Sequence, residues 1–369
     1  MSDKQFQILT AAERMPDLDG YRGLAILMVI ACHSIFAPRL GEVSPGSIVA
    51  FGFSFFASGV DLFFVLSGFL IGGILLDNRG APRYFSAFYG RRILRIFPVY
   101  YGFLLVILGQ GLIFHAYHKA TPVFDAGTPF LFFLVYLQNF GMAWFNDWNW
   151  ITVTMTWSLA LEEQFYLTLP VAVKALRKSS LVAISGIIVM LAPVARCFLP
   201  NVPHGFGTLV LMAFRADALA AGFLCAIFVR SNLRVSNLRI VVLTAVSVLF
   251  IALSYIANSP APFLRPTLLI TLYSSGLLLA VQGQIAPLRW PLMRFFGTIS
   301  YTLYMIHQSA LVTLRSVFRH FLPEFHGQSA VVSSVAFLLS IAICKASWDY
   351  FEQPTVSWAR RRFRYQKNS

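Results

Sequence analysis

Arg22 and His33 bracket an apolar run, Gly23 to Cys32, that is comfortable only inside a membrane. On an α-helix, eleven residues turn through about 1100°, three full turns plus about 20°, and rise about 16 Å. Both side chains are therefore expected on one face, with Arg22 near a membrane surface and His33 near the midplane. An ionisable side chain at that depth is expensive and by default marks a functional site. A neutral imidazole there is in the form that a general base needs.

Acidic residues are few, and three sit where they could serve this histidine. Glu162 and Glu163 lie in Thr156-Trp157-Ser158-Leu159-Ala160-Leu161-Glu162-Glu163-Gln164-Phe165-Tyr166, at the head of an apolar run. Two readings are open. Ser158 caps a helix whose first turn tolerates acids, or one acid faces inward to pair with an arginine or orient a histidine. Asp61 opens the run Gly59-Val60-Asp61-Leu62-Phe63-Phe64-Val65-Leu66-Ser67-Gly68, as a helix cap or as an acid partner. Ser67, Gly68, Gly72 and Gly73 permit close helix packing or the close approach of a ligand.

Arg91, Arg92 and Arg95 make the loop before Phe97-Pro98-Val99-Tyr100-Tyr101 strongly basic. They serve as a topology anchor or as a phosphate grip, for which the fork of arginine is suited. His307 is a second histidine deep in an apolar run and reads as a hydrogen-bonded structural residue. Arg215 and Asp217 read as an internally compensated pair. GxSxG, HExxH and Walker patterns are missing, so serine-hydrolase, zinc-protease and nucleotide-phosphate readings lack support, and no metal is expected.

The elements that must hold these residues are membrane helices. The chain has 369 residues, 57% hydrophobic and 12% charged, with a mean hydropathy of +0.69, whereas a soluble domain carries about 25% charged residues. Apolar stretches recur at roughly 22–40, 53–76, 96–114, 157–176, 181–199, 209–229, 240–257, 266–285, 295–320 and 329–351. The expected fold is an all-α polytopic membrane protein of about ten transmembrane helices, forming one domain over 1–369. With the N-terminus inside, 21 of the 29 lysines and arginines fall on the cytoplasmic side, provided that 129–150 is interfacial or re-entrant rather than a further crossing. Residues 1–21 and the basic tail 352–369 are then both cytoplasmic. The net charge of +14 belongs to these loops, and no nucleic-acid partner is expected. Cys32, Cys197, Cys225 and Cys344 lie in apolar runs without ligand spacing and read as small buried hydrophobes. The first 21 residues have no apolar core, so no cleavable signal peptide is expected.

Taken in order, these blocks resemble a known family. Asp19-Gly20-Tyr21-Arg22-Gly23-Leu24-Ala25 followed by His33 is similar to the Arg-x10-His signature of the acyltransferase 3 family of integral-membrane acyltransferases. Phe64-Val65-Leu66-Ser67-Gly68-Phe69-Leu70, Arg92-x-x-Arg95 with Pro98-x-Tyr100-Tyr101, Trp157-Ser158-Leu159 through Tyr166, and Ser300-Tyr301-x-x-Tyr304-x-x-His307 match it in kind and order over about residues 17 to 354. The resemblance implies transfer of an acyl group, most often acetyl from acetyl-CoA, to a sugar hydroxyl in the bacterial plasma membrane. The acceptor would be a carbohydrate, possibly lipid-linked, with membrane lipid as the other partner. His33 would be the general base, with Arg22, Glu162, Glu163 and Asp61 around it. Arg91, Arg92, Arg95, Ser67 and Tyr301 would serve the acyl-CoA. The competing function is a transporter or flippase of lipid-linked sugars, which the lack of an evident internal repeat weakens.

Overall fold

The computed structural model of the chain describes residues 15–37, 47–116, 127–146, 152–199, 207–231, 236–256, 264–321 and 330–365. Every regular element among them is helical, the form in which a segment satisfies its own backbone polar groups where no water reaches. The α-helices of five residues or more are α1 (Pro16–Ala31), α2 (Ile48–Ala57), α3 (Gly59–Asp77), α4 (Tyr84–Ala116), α5 (Phe130–Leu134), α6 (Gln138–Phe145), α7 (Trp157–Ala175), α8 (Lys178–Phe198), α9 (Met212–Val229), α10 (Asn237–Ile256), α11 (Leu264–Val281), α12 (Pro291–Phe321), α13 (Ala330–Ser347) and α14 (Gln353–Arg362).

Helices occupy all ten expected positions. Among the described residues eight stretches are long and apolar enough to cross a membrane: Pro16–Phe36, Ile48–Asp77, Tyr84–Ile113, Lys178–Phe198, Gly207–Val229, Asn237–Ser254, Leu264–Val281 and Ala330–Arg362. The other two are α7 and α12, of 19 and 31 residues. α7 carries Glu162, Glu163 and Lys174, and the middle of α12 is rich in Ser, Thr, Tyr, His and Gln, so both are of spanning length but more polar than lipid-facing helices.

The stretch beginning at 129 does not form a crossing helix. It folds as α5 and α6, of 5 and 8 residues, too short to cross at about 1.5 Å per residue. Tyr136, with φ at 57°, breaks the chain between them, and Asn146, with φ at 52°, ends the second. Residues 147–151 lie outside the described residues, as do 1–14 and 366–369 of the two terminal segments. Helix α1 begins at Pro16, so residues 16–21, expected in the tail, belong to the helix.

The chain divides into two compact units. The first comprises Met1–Arg79, Glu162–Val202 and Leu211–Thr298, and the second comprises Gly80–Leu161, Pro203–Val210 and Ile299–Ser369. In the first, α3 packs against α1, α9 and α11. Its approach to α9 is as close as two backbones allow. A Cβ on Gly68 would fall on the carbonyl oxygen of Leu219, and one on Gly222 would fall on that of Val65. Such reciprocal contacts between small residues are the way membrane helices associate when hydrophobicity alone gives no preference between lipid and protein. In the second unit α14 lies against α4, and the fully buried Tyr100 donates to the Phe133 carbonyl at 2.8 Å.

Candidate active site

Helix α1 remains α-helical to Ala31 and continues as a π-turn over Cys32–Phe36, which contains His33. Single π-turns recur at functional sites. His33 is half-buried, and its Nδ1 lies 2.9 Å from the Val29 carbonyl oxygen. A carbonyl can only accept, so Nδ1 is the donor, and Nε2 of the neutral ring keeps its lone pair.

Arg22 and His33 are separated by about 16 Å along the helix axis, and each has a partner on its own helix. Arg22 donates to Asp19 Oδ1 at 2.9 Å, from a half-exposed guanidinium to a carboxylate only 4% exposed. Sequence reasoning gives Asp19 no role, although it opens the Asp19-Gly20-Tyr21-Arg22 block. It also lines a cleft of about 270 Å³ with Arg294, Phe295 and Thr298. Close packing builds this corner: a Cβ on Gly23 would fall on the Met293 carbonyl, and one on Gly297 on the Asp19 carbonyl. Asp17, also buried, takes Nε of Arg289 at 2.9 and 3.1 Å.

Asp61 lies in the first turn of α3 and binds Arg215 at 2.7 Å, with side chains 6% and 11% exposed. Arg215 and Asp217 therefore do not compensate each other, contrary to the expectation from sequence. Residues two apart on a helix point in nearly opposite directions. Asp217 instead binds Arg196 of α8 at 2.7 Å, and Arg196 also donates to the Phe214 carbonyl and to Thr267.

Glu162 takes part in a short chain of hydroxyls. Tyr166, one turn further along α7, donates to Glu162 Oε2 at 2.9 Å, and its oxygen is 2.5 Å from Ser67 Oγ on α3. Two expected site residues from distant blocks thus meet through Tyr166, whose bridging place the sequence alone does not reveal. Glu163 is half-buried and, as the next residue on the helix, faces about 100° away from Glu162.

In the second unit Arg91 turns towards the C-terminal segment. Its Nε donates to the Phe363 carbonyl at 2.5 Å, and its guanidinium sits 4.8 Å over the Tyr365 ring. Arg92 and Arg95 are half-buried. Tyr301 donates to the Ile96 carbonyl at 3.0 Å, one residue from Arg95. Ser158 is not a helix cap. Its hydroxyl donates to the Met155 carbonyl at 3.1 Å and meets Tyr304 Oη at 2.7 Å, because α7 already starts at Trp157 after the turn Thr154–Thr156. His307 is 6% exposed, and its Nδ1 shares a proton between the carbonyls of Leu303 and Tyr304 at 3.0 and 2.8 Å. Among the described residues no three His, Cys, Asp or Glu are grouped to hold a metal ion.

The family model described as an acyltransferase domain, acyltransferase 3, matches residues 15–346. The chain is 33% identical over 164 residues to the peptidoglycan O-acetyltransferase OatA of Listeria monocytogenes, covering 42% of this chain and 24% of that protein. It is 28% identical over 177 residues to O-acetyltransferase OatA of Staphylococcus aureus, covering 46% and 26% respectively. A putative O-acetyltransferase of Staphylococcus aureus is 30% identical over 165 residues, covering 42% and 24%. The matches thus span about a quarter of the length of these curated relatives. No solved structure matches the chain. The family match covers most of the sequence, and the chain belongs to the acyltransferase 3 family.

Proposed function

We propose that this acyltransferase 3 protein is a membrane-embedded O-acyltransferase that moves an acyl group, most simply acetyl, from acyl-CoA to a hydroxyl of a carbohydrate or glycoconjugate. The names of its relatives support O-acetylation, and one of them supports a cell-wall glycan as acceptor. The observation that carries the reading is the hydrogen bond from His33 Nδ1 to Val29, which leaves Nε2 as the basic nitrogen. In the reaction Nε2 takes the proton of the acceptor hydroxyl, the oxygen attacks the thioester carbonyl, the carbon–sulfur bond breaks, and the proton passes from the imidazolium to the departing thiolate, which releases coenzyme A as the thiol and restores the neutral base.

Arg22, fixed by Asp19, positions the substrate end of the same helix. Glu162 acts with Tyr166 and Ser67 as a polar relay, with Glu163 beside it. Asp61, committed to Arg215, positions α3 rather than touching the reacting atoms. Arg92 and Arg95, with Tyr301 beside them, take the phosphates of the donor. In this reading the chain is one membrane domain of the bacterial plasma membrane, with both termini cytoplasmic and the donor's polyanionic end on the basic inner side.

Mass spectrometry of surface glycans tests this. Cells expressing the chain should carry acylated glycan that is missing from cells without it and from cells with His33→Ala. Unmodified glycans together with lost movement of lipid-linked sugar would instead establish the transporter.

A further inference from the structure

The C-terminal segment, from α14 onward, lies against the arginine-bearing helix α4. Phe363 packs on Gly90 so closely that a Cβ there would meet its ring at 2.5 Å. The Phe363 carbonyl accepts from Arg91, and Trp358 sets its ring edge-on to Phe363 at 6.5 Å. This docking brings like charges together: Arg360 and Arg92 both lie close enough to Arg91 to repel it. Gathering cations in one place costs free energy that an anionic ligand can return.

Tyr365 gives the cluster a direction. Its ring lies under Arg91, and both Arg91 and Arg92 act on it electrostatically. Yet its hydroxyl is buried and has no hydrogen-bond partner among the described residues. A buried hydroxyl without a partner is costly, and a ligand that accepts from it relieves that cost. Burial also pushes the Tyr365 phenol up, so it remains a neutral donor. A neutral donor among guanidinium groups fits a phosphate oxygen.

We propose that Tyr365 and Arg360 of the C-terminal segment, with Arg92 of α4, form a phosphate site, which in the proposed reaction takes the nucleotide end of acyl-CoA. The inference rests on the acyl-CoA reading and adds the C-terminal segment to the donor site. The same chemistry could be supplied by the headgroup of an anionic lipid at the membrane surface.

The test uses the full chain in nanodiscs of neutral phosphatidylcholine, with calorimetric titration of coenzyme A and of pantetheine, which lacks the phosphates. Tyr365→Phe keeps the ring under Arg91 and should weaken coenzyme A binding about tenfold, leaving pantetheine binding and thermal stability unchanged. Arg360→Gln, on an exposed part of α14, should act in the same direction. In a second arm, nanodiscs containing phosphatidylglycerol are analysed by native mass spectrometry. Unchanged coenzyme A affinity with loss of bound phosphatidylglycerol in Tyr365→Phe would assign the site to a lipid headgroup. If neither ligand responds to either substitution, or if pantetheine weakens as much as coenzyme A, the phosphate site is refuted. Wild-type protein that binds no coenzyme A in either nanodisc would overturn the donor reading itself, a different result from wild-type binding that the substitutions leave unchanged.

Discussion

Arg215 of α9 and Asp61 of α3 meet at 2.7 Å, with both side chains nearly dry. The pair lies about two helical turns from the reciprocal glycine contacts of Gly68 and Gly222 on the same two helices. Asp217 on the same helix holds Arg196, so two ion pairs tie α9 to its neighbours on either side.

Breaking one partner of a buried pair leaves an uncompensated charge and costs about 3–5 kcal/mol. Asp61→Ala should therefore lower the yield of monodisperse protein and its thermal midpoint, read by size-exclusion chromatography and a thermal-shift scan. Asp61→Leu combined with Arg215→Met removes both charges and should recover most of the loss. A single variant as stable as wild type would remove the structural role and return Asp61 to the chemistry.

Gly222→Val is expected to force α3 and α9 apart, since its branched side chain would begin at the Val65 carbonyl. Overpacking of this kind typically costs about 1–3 kcal/mol. Gly186, with open space around it, is the control: Gly186→Ala should leave the thermal midpoint unchanged or raise it. Equal behaviour of the two variants would contradict the close packing.

Tyr166→Phe separates Ser67 from Glu162 while keeping the ring. One hydrogen bond is worth about 0.5–1.5 kcal/mol net, so the folded protein should persist. Transfer activity should fall severalfold, with the donor affinity of the purified protein unchanged. Full activity would mean that the chain of hydroxyls serves only to hold α7 to α3.

The helices were legible because a membrane leaves little choice: long apolar runs must be helical, and the stretch from 129 stands apart from them in the structure as it does in the charge pattern. The short α5 and α6 follow from the same logic. Pairing between helices was not legible. The neighbours Arg215 and Asp217 suggest compensation, and only three-dimensional packing reveals Asp61 and Arg196 as the partners. Ser158 resembles a cap until α7 is seen to begin one residue earlier. The π-turn at His33 has no marker such as proline in the run Ala31 to Phe36. Tyr166 and Asp19 stand inside the family-like blocks, so the signal was present, but a spacing rule does not say that Tyr166 bridges to Ser67 of another helix or that Asp19 holds Arg22.

For Arg92 and Arg95, alanine substitution should weaken coenzyme A binding severalfold to more than tenfold. A charge-assisted phosphate contact is worth about 1.5–3 kcal/mol. Lysine should rescue only part of the loss, since it lacks the fork. Calorimetry on the purified variants reads this directly, and unchanged affinity would reduce this stretch, which belongs to helix α4 rather than to the loop expected from sequence, to a topology anchor.

The central claim is that Nε2 of His33 takes the acceptor proton, and acyl transfer by purified His33→Ala protein of wild-type thermal stability tests it most directly. General-base catalysis contributes about 10²–10⁴-fold, so transfer should fall by at least that lower factor while coenzyme A binding persists. His307→Ala, which removes a histidine bonded within its own helix, should be milder. Transfer by His33→Ala within tenfold of wild type would contradict the assignment of His33 as the general base.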